Sequence, residues 1–373
     1  MKILVLTKRQ YMGKDLLIDR FGRFRELPLA LARLGHDVMG ITLSYRPREE
    51  GSFVDFAEAA DGAVRWHSFN ATQALVPRLG RFARRAVELA TDFKPDVVWA
   101  GSDAYHVVFG AWLAKRIGAR SVIDLYDNFE SFRASRLPAV LLLFRRAVRQ
   151  ADGVTCFSKR LADHILNKYQ RTYPTTVVES GVVKETFRPL DQQECRRRFN
   201  LPGHAEILGT AGALHQSRGI QTLFQAFRLL IDSGSEFHLA LAGPRGPDMK
   251  IPTGPRIHDL GVLRHEEVPI FINALDVSVI CYRHSKQGQY SFPQKAYEIM
   301  ACRAPLIAAA VGTMIELLKN YPTCLYEPEN PTSLAAAAHL QLREKIIIDR
   351  DVPSWLDSGR QLENFLEQVV DLG

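Results

Sequence analysis

The 373-residue sequence has no uncharged apolar run of about 18 residues, the length a helix needs to cross a bilayer. Its longest oily stretch, Leu137 to Phe144, is far too short. The start, MKILVLTKRQ, lacks the apolar segment and small-residue cleavage site of a secretory signal, so a cytoplasmic location is expected. Cysteine is sparse: Cys156, Cys195, Cys281, Cys302 and Cys324 are scattered, with no C-x-x-C pair. That argues against a disulfide framework or a zinc site and fits a reducing compartment. No G-x-G-x-x-G follows Ile3–Leu6, and no G-x-x-x-x-G-K-[ST] occurs, which removes the main support for dinucleotide oxidoreductases and P-loop enzymes. There is no G-x-S-x-G elbow and no H-x-x-x-H pair. The D-x-D at Asp349-Arg350-Asp351 lies near the C-terminus and reads as a solvated turn, so no metal is expected. Short internal repeats and low-complexity tracts are also missing.

What is present is an ordinary globular composition, 46% apolar and 24% charged, in a chain long enough for two domains. The net charge of +7 is uneven. Residues 1–175 carry 28 Lys and Arg against 18 Asp and Glu, whereas the remainder carries 20 against 23. A basic half can face nucleic acid, anionic lipid or a phosphorylated substrate. Nucleic acid fits worst, because the basic residues are not interleaved with stacking aromatics. The basic helical patches Arg78–Arg85 and Arg145–Arg149, the latter following Val140–Phe144, suggest an anionic membrane surface; plain solvated faces are the alternative.

Strand-like runs alternate with helix-length amphipathic segments from end to end, the pattern of parallel sheets with covering helices. Strands are expected at Ile3–Leu6, Asp37–Ile41, Asp96–Ala100, Ala119–Asp124 and Gly153–Phe157, then at Ile207–Ala211, Phe237–Ala242, Val277–Cys281 and Pro305–Ala309. Helices are expected at Phe24–Leu34, Arg81–Ala90, His106–Ile117 and Lys159–Tyr169, and at Arg218–Leu230, Val268–Leu275, Pro293–Cys302 and Thr332–Gln341. The Pro-bearing stretch from Tyr173 to Gly203 suggests the junction. The expectation is a first domain over residues 1–180, a second over 181–354, and a last helix, 355–373, packing back on the first. Two doubly wound sheets place a ligand at the carboxyl ends of the strands, in a cleft between the domains.

Four segments of the second half carry the chemistry. Gly212-Ala213-Leu214-His215-Gln216-Ser217-Arg218-Gly219 leaves a strand for a helix; its small residues admit a ligand to the backbone, and Arg218 can pair with a phosphate. Leu241-Ala242-Gly243-Pro244 is a strand ending in a turn at the same sheet edge, and the loop Leu260-Gly261-Val262-Leu263 can receive a flat nucleobase. In the fourth, Ser291-Phe292-Pro293-Gln294-Lys295-Ala296-Tyr297-Glu298, Pro293 suits a first helical position, the free N–H groups near Gln294 suit an anion, and Glu298 can accept two ribose hydroxyls. Gly312-Thr313 opens the next loop after a strand.

In this order the segments resemble the retaining GT-B glycosyltransferases of family 4, the group 1 transferases. The opening Asp19-Arg20-Phe21-Gly22-Arg23 through Leu34-Gly35-His36-Asp37-Val38 is similar to that family's first loop, helix and "GHEV" turn. Ala151-Asp152-Gly153 to Ser158 resembles its "AD" segment, and Val177 to Val182 with Phe187-Arg188-Pro189 resembles its domain junction. There are departures. Of two family glutamates eight positions apart, Glu298 matches the second and Tyr290 stands at the first. Ala213 stands where an arginine is common, Ser180 and Val183 replace Asn and Asp, and Tyr126 replaces a histidine.

The resemblance implies an α/β fold of GT-B type, two Rossmann-like domains facing a central cleft. It implies transfer of a sugar from a nucleotide-diphosphate sugar, UDP-linked by default, to a hydroxyl of a glycan or lipid-linked acceptor, with retention and without a metal. Arg218 and Glu298 would act at the donor, together with Gly212, Gly219, Gly243, Gly261, Phe292, Gln294, Lys295, Gly312 and Thr313. The acceptor would lie against Gly22, Arg23, Tyr126 and Asp127, with His106 as a nearby imidazole. The enzyme would be peripheral on the inner face of the cell membrane, in polysaccharide or glycolipid synthesis. Two other readings stay open: a sugar-nucleotide epimerase on the same frame, or a non-catalytic relative that binds a nucleotide sugar.

Overall fold

The computed structural model describes residues 1–11, 14–56, 62–72, 75–131, 138–246, 249–290, 292 and 294–372. The expectations for Leu137, Ser291 and Pro293 lie outside the described residues. The chain divides into two compact units, Met1–Gly181 with Pro353–Gly373, and Val182–Val352.

The first unit is built on β1 (Lys2–Lys8), β4 (Asp37–Ser44), β5 (Gly51–Phe56), β6 (Ala63–Asn70), β7 (Val97–Gly101), β8 (Arg120–Leu125), β9 (Gly153–Cys156) and β10 (Thr175–Val177), with a small hairpin of β2 (Gln10–Tyr11) and β3 (Lys14–Asp15) beside it. The sheet order is β10-β9-β8-β7-β1-β4-β6-β5, parallel throughout except for β5 against β6. Val97 to Gly101 are buried residue after residue, as in strands covered on both faces. The cover comes from α1 (Arg23–Arg33), α2 (Leu75–Phe93), α3 (Ala104–Ile117), α4 (Pro138–Gln150) and α5 (Lys159–Tyr169). The chain winds outward from β1 through β4 and then from β7 through β10, so the topological switch lies between the carboxyl ends of β1 and β7.

The second unit has a six-stranded parallel sheet, β13-β12-β11-β14-β15-β16, from β11 (Ile207–Ala211), β12 (His238–Ala242), β13 (Ile257–Asp259), β14 (Val277–Ile280), β15 (Leu306–Ala309) and β16 (Leu325–Tyr326). Its switch lies between β11 and β14. Its helices are α6 (Gln192–Arg198), α7 (Ile220–Asp232), α8 (Val268–Ala274), α9 (Lys286–Tyr290), α10 (Gln294–Ala301), α11 (Thr313–Leu317) and α12 (Pro331–Glu344). The last helix, α13 (Trp355–Asp371), returns to the first unit and lies along α1. A Cβ at Gly359 would stand 2.5 Å from the Cβ of Ala30, and Nε2 of His36 is 2.7 Å from Oε1 of Glu363.

The structure corrects one boundary that matters for the site. Arg218 ends a short 3-10 turn, Gln216–Arg218, and Gly219, at φ +75°, breaks the chain before α7 begins at Ile220. Arg218 is therefore held on a loop in front of the helix. Short or edge strands such as β5, β10, β13 and β16 escape the periodicity because they are too brief or only half covered. Among the described residues, no helix is long and apolar enough to cross a membrane.

Candidate active site

Three glycine loops meet at the carboxyl edge of the second sheet. The N–H of Gly212 donates to the carbonyl of Ala242 at 2.8 Å, and that of Gly243 to the carbonyl of Gly261 at 2.6 Å. Gly212 and Gly243 have φ of +120° and +134°, a region L side chains rarely adopt. A Cβ on Gly243 would stand 2.0 Å from the Gly212 oxygen. The loops thus present backbone where side chains would otherwise project. Gly219, Gly261 and Gly312 also have positive φ, and a Cβ on Gly312 would meet the Gly288 carbonyl at 2.5 Å.

Around this backbone stand two cations and a carboxylate. Arg218 is half-buried, its guanidinium 5.8 Å from the ring centre of Tyr282. Lys295, on the first turn of α10, reaches across to Gly212, where a Cβ would lie 2.3 Å from its Nζ. Loss of water lowers the Lys295 ammonium to about 8, against the pull of Cys281 and Glu298. Glu298, one turn further, is buried, and its carboxyl is pushed up to about 7 by desolvation, which Lys295 partly opposes. The ring of Phe292 is buried edge-on to that of Tyr297, with centroids 4.6 Å apart. Gln294 begins α10, and Thr313, at the start of α11, has a buried hydroxyl with no hydrogen-bond partner among the described residues.

The first unit has its own polar cluster at the carboxyl edge, and here two expectations are corrected. Arg23 is buried: its Nε and Nη2 donate to the Asp124 carboxylate at 2.8–3.2 Å, and Nη1 donates to the carbonyl of Val178 at 2.7 Å. Thr155 Oγ1 donates to the same carboxylate at 2.6 Å. With both charges at 0% exposure, the pair joins α1 to the sheet and is not a surface for an acceptor. His106 is likewise enclosed, by Tyr45, Phe82 and Tyr105. Its Nδ1 donates to Asp103 Oδ1 at 2.8 Å, and Nε2 is buried with no partner among the described residues. His106 therefore orients Asp103 and cannot touch a substrate from this position. Burial opposes ionisation of Asp103, yet the His106 ring and its hydrogen bonds, helped by Lys8, bring that carboxyl down to about 2.

Gly22 caps α1 at φ +103°, and Tyr126 donates its hydroxyl to the carbonyl of Ser102 at 2.9 Å. Asp127 is half-buried beside Lys8, whose ammonium lies below its ordinary range because burial outweighs the attraction of Asp103 and Asp127. Lys8 and Ser102 were not singled out in the sequence. Lys8 merely ends an apolar strand, and the φ of +84° at Ser102 has no sequence mark. The two sets, one per unit, comprise a glycine-lined edge with two cations and a carboxylate, and a polar edge with Lys8, Asp103, Tyr126 and Asp127.

Comparison with known proteins agrees with this layout. Residues 205–344 match the family model "Glycosyl transferases group 1", and residues 23–181 match "Glycosyl transferase 4-like domain". A 2-deoxystreptamine N-acetyl-D-glucosaminyltransferase of Streptomyces fradiae is 24% identical over 67% of this chain and 63% of its own length. D-inositol 3-phosphate glycosyltransferase 1 of Catenulispora acidiphila is 26% identical over 68% of this chain and 66% of its own. The chain thus spans just under two thirds of these curated relatives. The solved Alr3699/HepE of Anabaena, in complex with UDP, shares the fold at a TM-score of 0.66 and 17% identity, covering 100% of this chain and 98% of that one. The two family matches together take in most of the chain, with the whole second sheet and every strand of the first but β1, and the chain belongs to the group 1 glycosyl transferases.

Proposed function

We propose that this protein transfers a sugar from a nucleotide-diphosphate sugar to a hydroxyl acceptor with retention of configuration. The observation that carries the reading is the second unit's edge: bare glycine backbone, Arg218 on the turn before α7, and the start of α10 with the buried Glu298 one turn along it. In this scheme Glu298 accepts the ribose hydroxyls, and the loop at Gly261 receives the base. The departing diphosphate is stabilised by Arg218 and by N–H groups near Gln294, a preorganised set that needs no metal. Thr313 supplies a hydroxyl at the neighbouring loop. Uridine is the base of choice, a reading supported by the UDP complex of the Anabaena protein. The acceptor is assigned to the first unit's edge, at Gly22, Tyr126 and Asp127, and is a glycan or lipid-linked hydroxyl. Thermal-shift titration with UDP, GDP and ADP tests the donor part. One nucleotide should stabilise the protein, with the shift largely lost in Arg218→Ala and Glu298→Ala. Equal shifts in those variants would remove both residues from the donor site.

The membrane part of the proposal rests on α4. Leu142 and Leu143 are 70% and 51% exposed, next to the exposed Arg145, Arg146 and Arg149, whereas Phe144 faces the core. Trp112 is half exposed on α3, which packs on α4. Not all the charge is available: Arg145 pairs with Glu130, Arg81 with Glu50 and Arg85 with Glu88. An apolar ridge with remaining cations matches an anionic lipid surface. The protein should sediment with phosphatidylserine vesicles at low salt, and Leu142→Ser with Leu143→Ser should abolish this. Failure of the unaltered protein to sediment would end the membrane reading.

A further inference from the structure

The place of Arg218 depends on a turn of three residues, Gln216–Arg218, that stands between β11 and α7. A turn this short makes few hydrogen bonds of its own. His215, immediately before it, supplies two acceptors. Its carbonyl accepts the N–H of Arg218 at 2.9 Å, and its ring nitrogen Nδ1 accepts the N–H of Ser217 at 3.1 Å. The Ser217 hydroxyl lies 2.7 Å from the same Nδ1. A backbone N–H can only donate, so Nδ1 is the acceptor nitrogen of this ring. His215 thus takes the N-cap role more often filled by Asp, Asn or Ser.

The ring is fixed from its other side by Gly246. A Cβ at 246 would stand 2.5 Å from Cδ2 of His215, 3.2 Å from Nε2 and 3.3 Å from Cγ, so the imidazole lies directly on bare backbone. Main-chain bonds tie the same two loops together. The N–H of Leu214 donates to the carbonyl of Pro244, and that of Gly246 to the carbonyl of Leu214, both at 2.9 Å. The imidazole is therefore held between its own turn and the loop that leaves β12. Beyond the turn, Gly219 breaks the chain at φ +75°, so the regular bonding of α7 does not extend back to Arg218.

We infer that His215 is a positioning residue for Arg218: it caps the turn at 216–218 and ties that turn to the β12 loop, so the arginine is presented to a donor's diphosphate already ordered. The inference rests on the donor-site reading and adds to it a residue that itself touches no ligand. Without the cap, part of the diphosphate's binding energy would go into ordering the turn, whereas a nucleoside, which offers Arg218 no anion, would be spared that cost.

The test is calorimetric titration of the full chain with UDP, or whichever diphosphate the thermal shifts select, and with the matching nucleoside. His215→Ala should weaken the diphosphate roughly fivefold, the ordinary size of a lost cap, and leave the nucleoside unchanged within about twofold. His215→Asn, which restores an acceptor for the Ser217 N–H, should recover most of the loss. Because the effect passes through Arg218, His215→Ala should cost less than about twofold when added to Arg218→Gln. Diphosphate affinity unchanged in His215→Ala would overturn the inference while leaving the donor site in place. So would an equal loss of nucleoside affinity, or a full fivefold loss on top of Arg218→Gln. No binding of any nucleotide to the unaltered protein would overturn the donor-site reading, and this inference with it.

Discussion

Arg23→Ala is expected to lower the unfolding free energy of the first unit by roughly 3–5 kcal/mol, the usual penalty for leaving one member of a buried pair without its partner. The Asp124 carboxylate would keep only Thr155 as a side-chain hydrogen-bond donor at 0% exposure, and the Val178 carbonyl would lose its guanidinium. The exchange of both residues for apolar ones of similar size, Arg23→Met with Asp124→Leu, should cost much less, because no uncompensated charge remains. With two units in the chain, the measurement is urea unfolding followed by probes in each, since a single transition cannot be assumed. The first unit's midpoint should fall while nucleotide binding in the second persists. An unchanged midpoint together with a raised KM for the acceptor would instead return Arg23 to the substrate surface.

Gly243→Ala is the second substitution with a large expected effect. The added methyl would lie 2.0 Å from the Gly212 oxygen, a contact only backbone movement can relieve, at a φ that L residues rarely adopt. Strain and overpacking together should cost about 2–5 kcal/mol. The loops at 212, 243 and 261 are joined by short hydrogen bonds, so the displacement should pass to all three and reduce nucleotide affinity at least about tenfold. Gly35→Ala is the matched control. Its φ is +92°, but nothing lies within 4 Å of the new Cβ. It should cost only the backbone term, about 1–2 kcal/mol, and leave nucleotide affinity intact. Equal losses in both variants would mean that backbone strain, and not the close approach of the loops, sets the effect.

The difference between these glycines shows what periodicity and motif could reach. Gly35 follows a helix and precedes a strand, so its role as a terminator is readable from its neighbours. Gly243 is followed by a proline and looks like any turn; that it must be bare depends on Gly212, 31 positions away in the chain. Arg218 and Glu298 stand out in the sequence because their segments follow in order along the chain, each on the way from an apolar strand into a helix. Arg23 and His106 show the opposite case. Both are polar residues near loops, the usual mark of a surface role, but the folded chain encloses one against Asp124 and the other against Asp103.

By itself the sequence determined the alternation of buried parallel strands with amphipathic helices, the two-sheet organisation and the loops that carry the glycines. These depend on interactions among neighbours in the chain: apolar periodicity, caps and turn residues. Only the tertiary structure decided which polar groups are exposed and which are paired, and that Lys295 lies over Gly212. Those outcomes depend on packing between segments far apart in sequence, where burial sets the charge of each group and steric contact sets which side chain a position can hold.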